Sequence, residues 1–130
     1  MFSAFKHKKH EDGDDFYTGD YINNYDGFNT NYGNSFSLVS GIFTSPRKGV
    51  FEFSAAIYHH HPGNNQLMVE KNNSEVLEFK SCGECGETLS FSWIMELQHG
   101  DIVRLKVTDG TFGAFSYANF VFNGKFIRNT

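Results

Sequence analysis

Between residues 36 and 53, aromatic side chains are interspersed with glycine and proline at short intervals. The run consists of Phe36, Gly41, Phe43, Pro46, Gly49, Phe51 and Phe53. Proline pre-sets one backbone torsion of a turn, and glycine accepts backbone conformations that other residues avoid. This spacing predicts a strand, a turn and a second strand.

Along much of the chain, apolar and polar residues alternate with the period of two that half-buried strands show. The predicted inward faces are Phe51, Phe53, Ala55 and Ile57; Leu89, Phe91, Trp93, Met95 and Leu97; Val103, Leu105 and Val107; and Phe120, Phe122 and Phe126. A helical apolar period persists nowhere over about 10 residues. Residues 6–33, crowded with Asp, Asn, Gly and Tyr, predict short strands and long loops. The chain is therefore expected to be all β, a sandwich or barrel of about ten strands.

Composition limits the classes of protein that this chain can belong to. A length of 130 residues predicts a single domain spanning residues 1–130, and an aromatic share of 17% predicts a core built of rings. The net charge of −4, with no long Lys/Arg stripe, argues against nucleic acid and against membrane surfaces as partners. No segment approaches the ~18 consecutive apolar residues of a membrane span, and the first residues lack the apolar stretch of a signal peptide.

Seven positions resemble the signature of the complement C1q globular-head family, which is related to the tumour necrosis factor family. They are Tyr25, Asn31, Phe36, Phe43, Gly49, Phe51 and Phe53. Ala55 and Lys125 depart from the pattern, since both stand where the family prefers an aromatic residue. The resemblance implies a two-sheet antiparallel β-sandwich with jelly-roll topology, in which residues 41–49 belong to a central hairpin. It also implies a secreted homotrimer that buries an aromatic face between its subunits.

The resemblance further implies noncovalent recognition of microbial surface glycans or lipopolysaccharide, or alternatively of a cell-surface receptor. Tyrosine rings stack on sugars while amides and carboxylates bond their hydroxyls, so Tyr-rich and Asp-rich loops suit such ligands. The candidate ligand-binding residues are Tyr17, Asp20, Tyr21, Tyr32, Asp109 and Tyr117. Structural roles for the rings among them are an equally good interpretation.

Histidine and aspartate residues raise the question of a metal ion. Neighbouring residues of a strand point to opposite faces, so at most His59 and His61 of the triplet share one ion such as Zn²⁺, with Asp109 as a further candidate ligand. A solvated loop before Pro62 is the favoured alternative. Calcium needs several hard oxygens. The candidate carboxylates are Asp12, Asp14, Asp15, Asp20, Asp26 and Asp109, for which turn formation is the favoured alternative.

Three shorter patterns complete the sequence. Cys82 and Cys85 have the spacing of a zinc knuckle or a redox pair, but a lone pair favours a local disulfide or two free thiols. Asn72-Asn73-Ser74 is an N-glycosylation triplet at a predicted hairpin tip. No nucleophile elbow, metalloprotease helix or phosphate-binding glycine loop is present, so the sequence predicts a protein that is not an enzyme.

Overall fold

The computed structural model describes residues 1–7, 15–59, 63–83, 87–113 and 119–130. Within these ranges the secondary structure consists of strands and turns. The strands are β1 (Phe2–His7), β2 (Asp15–Tyr17), β3 (Gly27–Asn31), β4 (Phe43–Thr44), β5 (Gly49–His59), β6 (Gly63–Lys71), β7 (Ser74–Gly83), β8 (Glu87–Leu97), β9 (Ile102–Asp109), β10 (Thr111–Gly113) and β11 (Asn119–Arg128). No described segment forms a helix with the length and apolarity that crossing a membrane requires.

Two main antiparallel sheets face each other across the core. One has five strands in the order β3-β1-β11-β5-β8, and the other has four in the order β4-β9-β6-β7. A small third sheet pairs β10 with β2. The prediction of an all-β, two-sheet antiparallel sandwich is confirmed, and the first third of the chain contributes only short strands after β1, as its turn-rich composition indicated.

Both ends of the chain lie inside the five-stranded sheet. β1 pairs with β11 from Phe2 opposite Gly124 to His7 opposite Asn119, and β11 then pairs with β5. These strands have neighbours on both sides, so their backbone groups are hydrogen-bonded within the sheet and present no open edge. The chain termini therefore stabilise the centre of the fold.

The aromatic residues of the family signature form the core. Tyr25, Phe36, Phe43, Phe51 and Phe53 are all buried. The ring of Phe43 lies 5.6 Å from that of Phe51 and 5.2 Å from that of Phe53, both in edge-to-face contact. Burial raises the pKa of the Tyr25 phenol, which remains neutral. The signature thus records the packing of the interior and carries no information about a ligand.

The predicted central hairpin is wrong, although the strands on either side of its turn exist. β4 pairs with β9, with Phe43 opposite Val103, whereas β5 pairs with β8 and β11. The turn at residues 45–48 therefore carries the chain from one sheet to the other. This crossing lets Phe43 and Phe51 point at each other from opposite sheets, a contact that two adjacent strands of one sheet would not allow.

The two glycines of the signature run have different physical roles. Gly41 has a φ of +71°, in the left-handed region, and its α-carbon packs against the backbone carbonyl of Ile22. Gly49 has no positive φ, but a side chain there would collide with the Phe126 ring and the Arg128 carbonyl. Conformation and space each require glycine at Gly41, whereas space alone requires it at Gly49.

A polar clamp holds together two turns at one end of the sandwich. Asn72 and Asn73 both have positive φ, as the two-residue hairpin turn between β6 and β7 requires. The Asn72 Nδ2 donates to Asp101 Oδ1 at 3.0 Å, and Asp101 Oδ2 accepts from the Gln98 backbone N–H at 2.8 Å. The Lys71 ammonium lies 3.8 Å from the same carboxylate. Asp101 therefore connects the β6–β7 turn to the β8–β9 turn.

This clamp predicts a pH dependence of stability. The Asn72 amide, then the Gln98 N–H and finally Lys71 lower the pKa of Asp101 below its ordinary value of 3.8. A carboxyl group whose pKa falls on folding stabilises the fold fully above its ordinary pKa, and this contribution is lost as the pH falls through the folded-state pKa. We expect Asp101→Asn to lower the melting temperature by about 3 to 6 °C at pH 7. The difference in melting temperature from wild type should become smaller as the pH falls below the ordinary pKa of the Asp101 carboxyl group.

Thermal melts of both proteins between pH 2.5 and 7 measure this difference. Glu78→Gln is the matched control, because Glu78 forms an exposed ion pair with Lys80 at 3.9 Å and should have little effect at any pH. A constant difference between Asp101→Asn and wild type across this pH range would contradict the assignment.

Candidate ligand-binding site

One end of the sandwich, here called the loop end, is defined by the ends of six described strands. β1 ends there at His7 beside the start of β11 at Asn119, and β5 ends there at His59 opposite Glu87. Gly63 of β6 pairs with Gly83 of β7 at the same end. The segments that leave from these strand ends are 8–14, 60–62, 84–86 and 114–118, which lie outside the described residues. Loops gathered at one end of a rigid sandwich are a common place for binding residues.

Tyr17, Asp20 and Asp109 lie together at this end. Tyr17 of β2 pairs with Thr111, two residues beyond Asp109. The Asp20 carboxylate accepts a hydrogen bond from the Tyr17 backbone N–H at 2.9 Å, which closes a tight turn. The Tyr17 ring is 55% exposed, and both carboxylates face solvent. Three of the predicted ligand-binding residues therefore lie near the same end of the sandwich, and each of them is exposed.

The segment after Tyr17 is held against the edge of β9 by backbone hydrogen bonds. Gly19 N–H donates to the Val107 carbonyl at 2.8 Å, and Ile22 N–H donates to the Leu105 carbonyl at 2.9 Å. Val107 N–H in turn donates to the Asp20 carbonyl at 2.8 Å. Residues 17–22, here called the strap, thus extend the four-stranded sheet along the part of β9 that β4 does not cover.

Tyr21 anchors this strap, which differs from its predicted role in contacting a ligand. Its hydroxyl donates toward both carboxylate oxygens of Glu70, at 3.1 and 3.2 Å. The Arg104 guanidinium carbon lies 3.5 Å from the centre of its ring, and the Lys106 ammonium lies 5.5 Å from it. With its hydroxyl bonded and its ring covered, Tyr21 positions the neighbouring residues Tyr17 and Asp20.

Glu70 is a buried carboxylate, only 3% exposed, that two cations neutralise. Arg104 Nε lies 3.5 Å from Oε1, a contact of opposite charges without hydrogen-bond geometry, and Lys106 Nζ lies 3.8 Å from Oε2. The Arg104 Nη2 also donates to Asn73 Oδ1 at 2.9 Å. Breaking such a buried pair is costly because it leaves a charge without its partner. The cluster therefore fixes the strap firmly to the sheet.

The other candidate residues are elsewhere. Tyr32 is 73% exposed, but its N–H donates to the Met1 carbonyl at the end opposite to the loop end. A single ligand of modest size therefore cannot contact both Tyr32 and Tyr17. Tyr117 lies outside the described residues, so its role stays a prediction.

The predicted metal ligands are not brought together by the described structure. His59 is the last residue of β5, with no side-chain description, and His61 lies outside the described residues. Asp109 belongs to β9, in the opposite sheet. Among the residues that the structure describes, no group of three His, Cys, Asp or Glu side chains is placed to hold an ion. A Zn²⁺ or Ca²⁺ site at the loop end stays a prediction.

Comparison with known proteins identifies the family of this chain. The model of the C1q domain matches residues 2–127, so the chain belongs to the C1q domain family. Comparison with curated protein sequences gave no significant match.

Solved structures support the same fold. The globular domain of zebrafish complement 1qA superposes with a TM-score of 0.73 at 18% identity, covering 99% of this chain and 98% of that one. Eiger TNF from S. frugiperda gives a TM-score of 0.68 at 11% identity, with coverage of 99% and 94%. Murine APRIL gives 0.64 at 9% identity, with coverage of 96% and 99%. The predicted jelly-roll topology is confirmed.

The anchoring role of Tyr21 can be tested by two substitutions. Tyr21→Phe keeps the ring beneath Arg104 but removes the hydroxyl from the buried Glu70, and should lower the free energy of unfolding by about 1 to 2 kcal/mol. Tyr21→Ala also removes the ring and should cost about 2 to 4 kcal/mol. Urea denaturation measures both values.

Tyr17→Phe is the control for this experiment, because the Tyr17 side chain is exposed and its hydroxyl has no recorded partner among the described residues. Its effect should stay within about 0.5 kcal/mol. Equal stabilities for Tyr21→Phe and Tyr17→Phe would show that the bond to Glu70 does not hold the strap.

Proposed function

We propose that this chain is a secreted, homotrimeric recognition module that binds microbial surface glycans noncovalently at its loop end. The observation that carries this proposal is the exposed Tyr17, whose backbone N–H donates to the Asp20 carboxylate, on a strap that Tyr21 and Glu70 hold in place. Membership of the C1q domain family supports it. A fixed ring next to hydrogen-bonding groups is the arrangement that binds sugars.

The charge of the surface narrows the kind of glycan. Asp20 and Asp109 both face solvent near Tyr17 and give this surface an acidic character. Acidic groups accept hydrogen bonds from sugar hydroxyls but repel phosphate and carboxylate. We therefore expect neutral sugar units to be bound, and lipopolysaccharide to be recognised through its uncharged sugars.

The proposed trimer is supported by one open side of the sandwich. β7 and β8 are outer strands of their sheets, and the rings of Phe79 and Phe91 stack between them at 4.2 Å. Val76, Leu77 and Ile94 are exposed along this side. Unpaired strand edges with apolar side chains are surfaces that natural proteins cover.

The outer face of the five-stranded sheet offers a matching surface. Two shallow depressions of about 310 and 400 Å³ meet there at the small side chains of Ser54 and Asn123. A bulky edge on one subunit and a shallow face on the next form a contact between two different surfaces, which closes into a ring when three copies assemble. The aromatic interface that the family resemblance implies stays a prediction.

Assembly can be tested by substituting one exposed residue at a time. Wild type should have a molar mass three times the 14.8 kDa of one chain in light scattering. Ile94→Asp places a charge on the apolar edge and should yield monomers at micromolar concentration. Val39→Asp, at an apolar side chain that is also exposed but lies in a loop between β3 and β4, should remain trimeric. A monomeric wild type, or a trimeric Ile94→Asp, would contradict the proposed interface.

Ligand binding can be tested with two exposed tyrosines at opposite ends of the molecule. On an array of neutral and anionic glycans and bacterial envelope fractions, wild type should bind neutral glycans. Tyr17→Ala should weaken binding about fivefold or more, because truncating a ring that dominates a binding surface typically costs more than about 1 kcal/mol. Tyr32→Ala should bind like wild type.

Three outcomes would argue against this assignment. Loss of binding in Tyr32→Ala alone would move the site to the other end of the sandwich. Binding that needs Ca²⁺ and favours anionic glycans would replace the neutral-sugar proposal with an ion-bridged one. A stable trimer that binds no glycan would favour the alternative function, a receptor-binding ligand of the tumour necrosis factor type.

A further inference from the structure

The glycosylation triplet Asn72-Asn73-Ser74 lies where the clamp between the two turns is built. We propose that Asn72 is a structural residue, and that a glycan on its amide nitrogen is incompatible with the clamped fold. This inference does not depend on the proposed ligand or on the proposed trimer. It concerns the sole N-glycosylation triplet in the sequence.

Asn72 bonds to the start of β9 with both its backbone and its side chain. Its backbone N–H donates to the Ile102 carbonyl at 3.0 Å, and its Oδ1 accepts from the Ile102 N–H at 2.9 Å. Its Nδ2 donates to Asp101 Oδ1 at 3.0 Å. The last residue pair of β6 and β9 is Lys71 opposite Val103, and Asn72 continues this pairing by one residue.

The orientation of the Asn72 amide follows from the chemistry of its partners. The Ile102 N–H can only donate, and the Asp101 carboxylate, whose pKa is lowered, can only accept. An amide rotated by half a turn would place its NH₂ group against an N–H and its oxygen against a carboxylate. One orientation of the amide therefore satisfies both partners.

A glycan would occupy the position that the clamp uses. Because the two partners belong to consecutive residues, we infer that both face the amide edge that carries the oxygen and the hydrogen beside it. N-glycosylation converts the side chain into a secondary amide, which strongly prefers the trans arrangement. In that arrangement the sugar carbon lies on the same side as the amide oxygen. It replaces the hydrogen that points to Asp101.

Solvent exposure does not remove this conflict. The Asn72 residue is exposed, so an enzyme is not excluded from it by burial. The folded state would be destabilised because the Asp101 carboxylate would lose the hydrogen bond from Asn72 Nδ2 and lie against a sugar ring instead. We therefore expect the folded chain either to carry no glycan at Asn72 or to lose the clamp when it does.

The test uses the full chain, expressed with a secretion leader in cells that attach N-glycans. Ser74→Ala removes the acceptor triplet but leaves the Asn72 amide in place. Asn72→Gly removes the amide but accepts the positive φ of +52°. Intact mass before and after peptide-N-glycosidase treatment reports the glycan, and thermal melts report the clamp.

We expect the fraction of secreted wild type that carries no glycan to have the same melting temperature as Ser74→Ala. Asn72→Gly should melt about 5 to 10 °C lower, since two hydrogen bonds are lost, one of them to a charged group. If a glycosylated fraction is secreted, it should melt below Ser74→Ala by a similar amount. The proposal would be overturned by a glycosylated protein with the same melting temperature as Ser74→Ala, or by an Asn72→Gly variant as stable as wild type.

Discussion

The structure depends on a layer of aromatic rings packed in the core between the two sheets. Phe53 and Phe122, both fully buried, lie on neighbouring strands of the five-stranded sheet, with ring centres 6.1 Å apart. Trp93 stacks on Phe53 at 5.3 Å, and Phe43 reaches Phe53 from the opposite sheet at 5.2 Å. Such pairs contribute about 0.5 to 1.5 kcal/mol each beyond the area they bury. The strands, turns and termini are arranged so that these rings meet.

This ring layer explains why the family can be identified without revealing a ligand. The signature positions that carry the resemblance are core residues, with Phe36 stacked on Phe2 at 4.5 Å as a further example. The proposed binding site depends instead on what the sandwich presents at its loop end. Tyr17 and Asp20 are held there by Tyr21, which is bonded to Glu70. Glu70 lies on the outer face of the four-stranded sheet, and the ring layer lies on its inner face. The core thus fixes the fold, and the cluster of Tyr21, Glu70, Arg104 and Lys106 fixes the strap.

Much of the fold could be predicted from the sequence because period-two alternation is a local property. Val103, Leu105 and Val107 are buried as their spacing indicates, and each lies in a regular strand. Pairing between distant strands is not local. Nothing near Phe43 shows that it pairs with Val103 and not with the strand that follows the turn, so the hairpin prediction was wrong.

The site was harder to predict for the same reason. Tyr17, Tyr21 and Tyr32 look alike in sequence, yet one is exposed at the loop end, one is bonded to Glu70, and one lies at the far end. Arg104 and Lys106 on the outward face of β9 were a signal that could have been read, since a half-buried strand with two cations on one face often has a carboxylate beside it. The position of that carboxylate, Glu70, depends on the register between β6 and β9.

The most direct test of the ring layer is the stability of Gly124→Ala. Gly124 has no positive φ, so alanine fits its backbone conformation, and a less flexible unfolded chain would ordinarily favour the substitution by about 0.4 to 1 kcal/mol. Here the added carbon would lie 2.9 Å from the Phe53 ring and closer still to the Phe2 ring. Urea denaturation should therefore show a loss of about 1 to 3 kcal/mol in the free energy of unfolding. A variant as stable as wild type, or more stable, would contradict the packing described for the core.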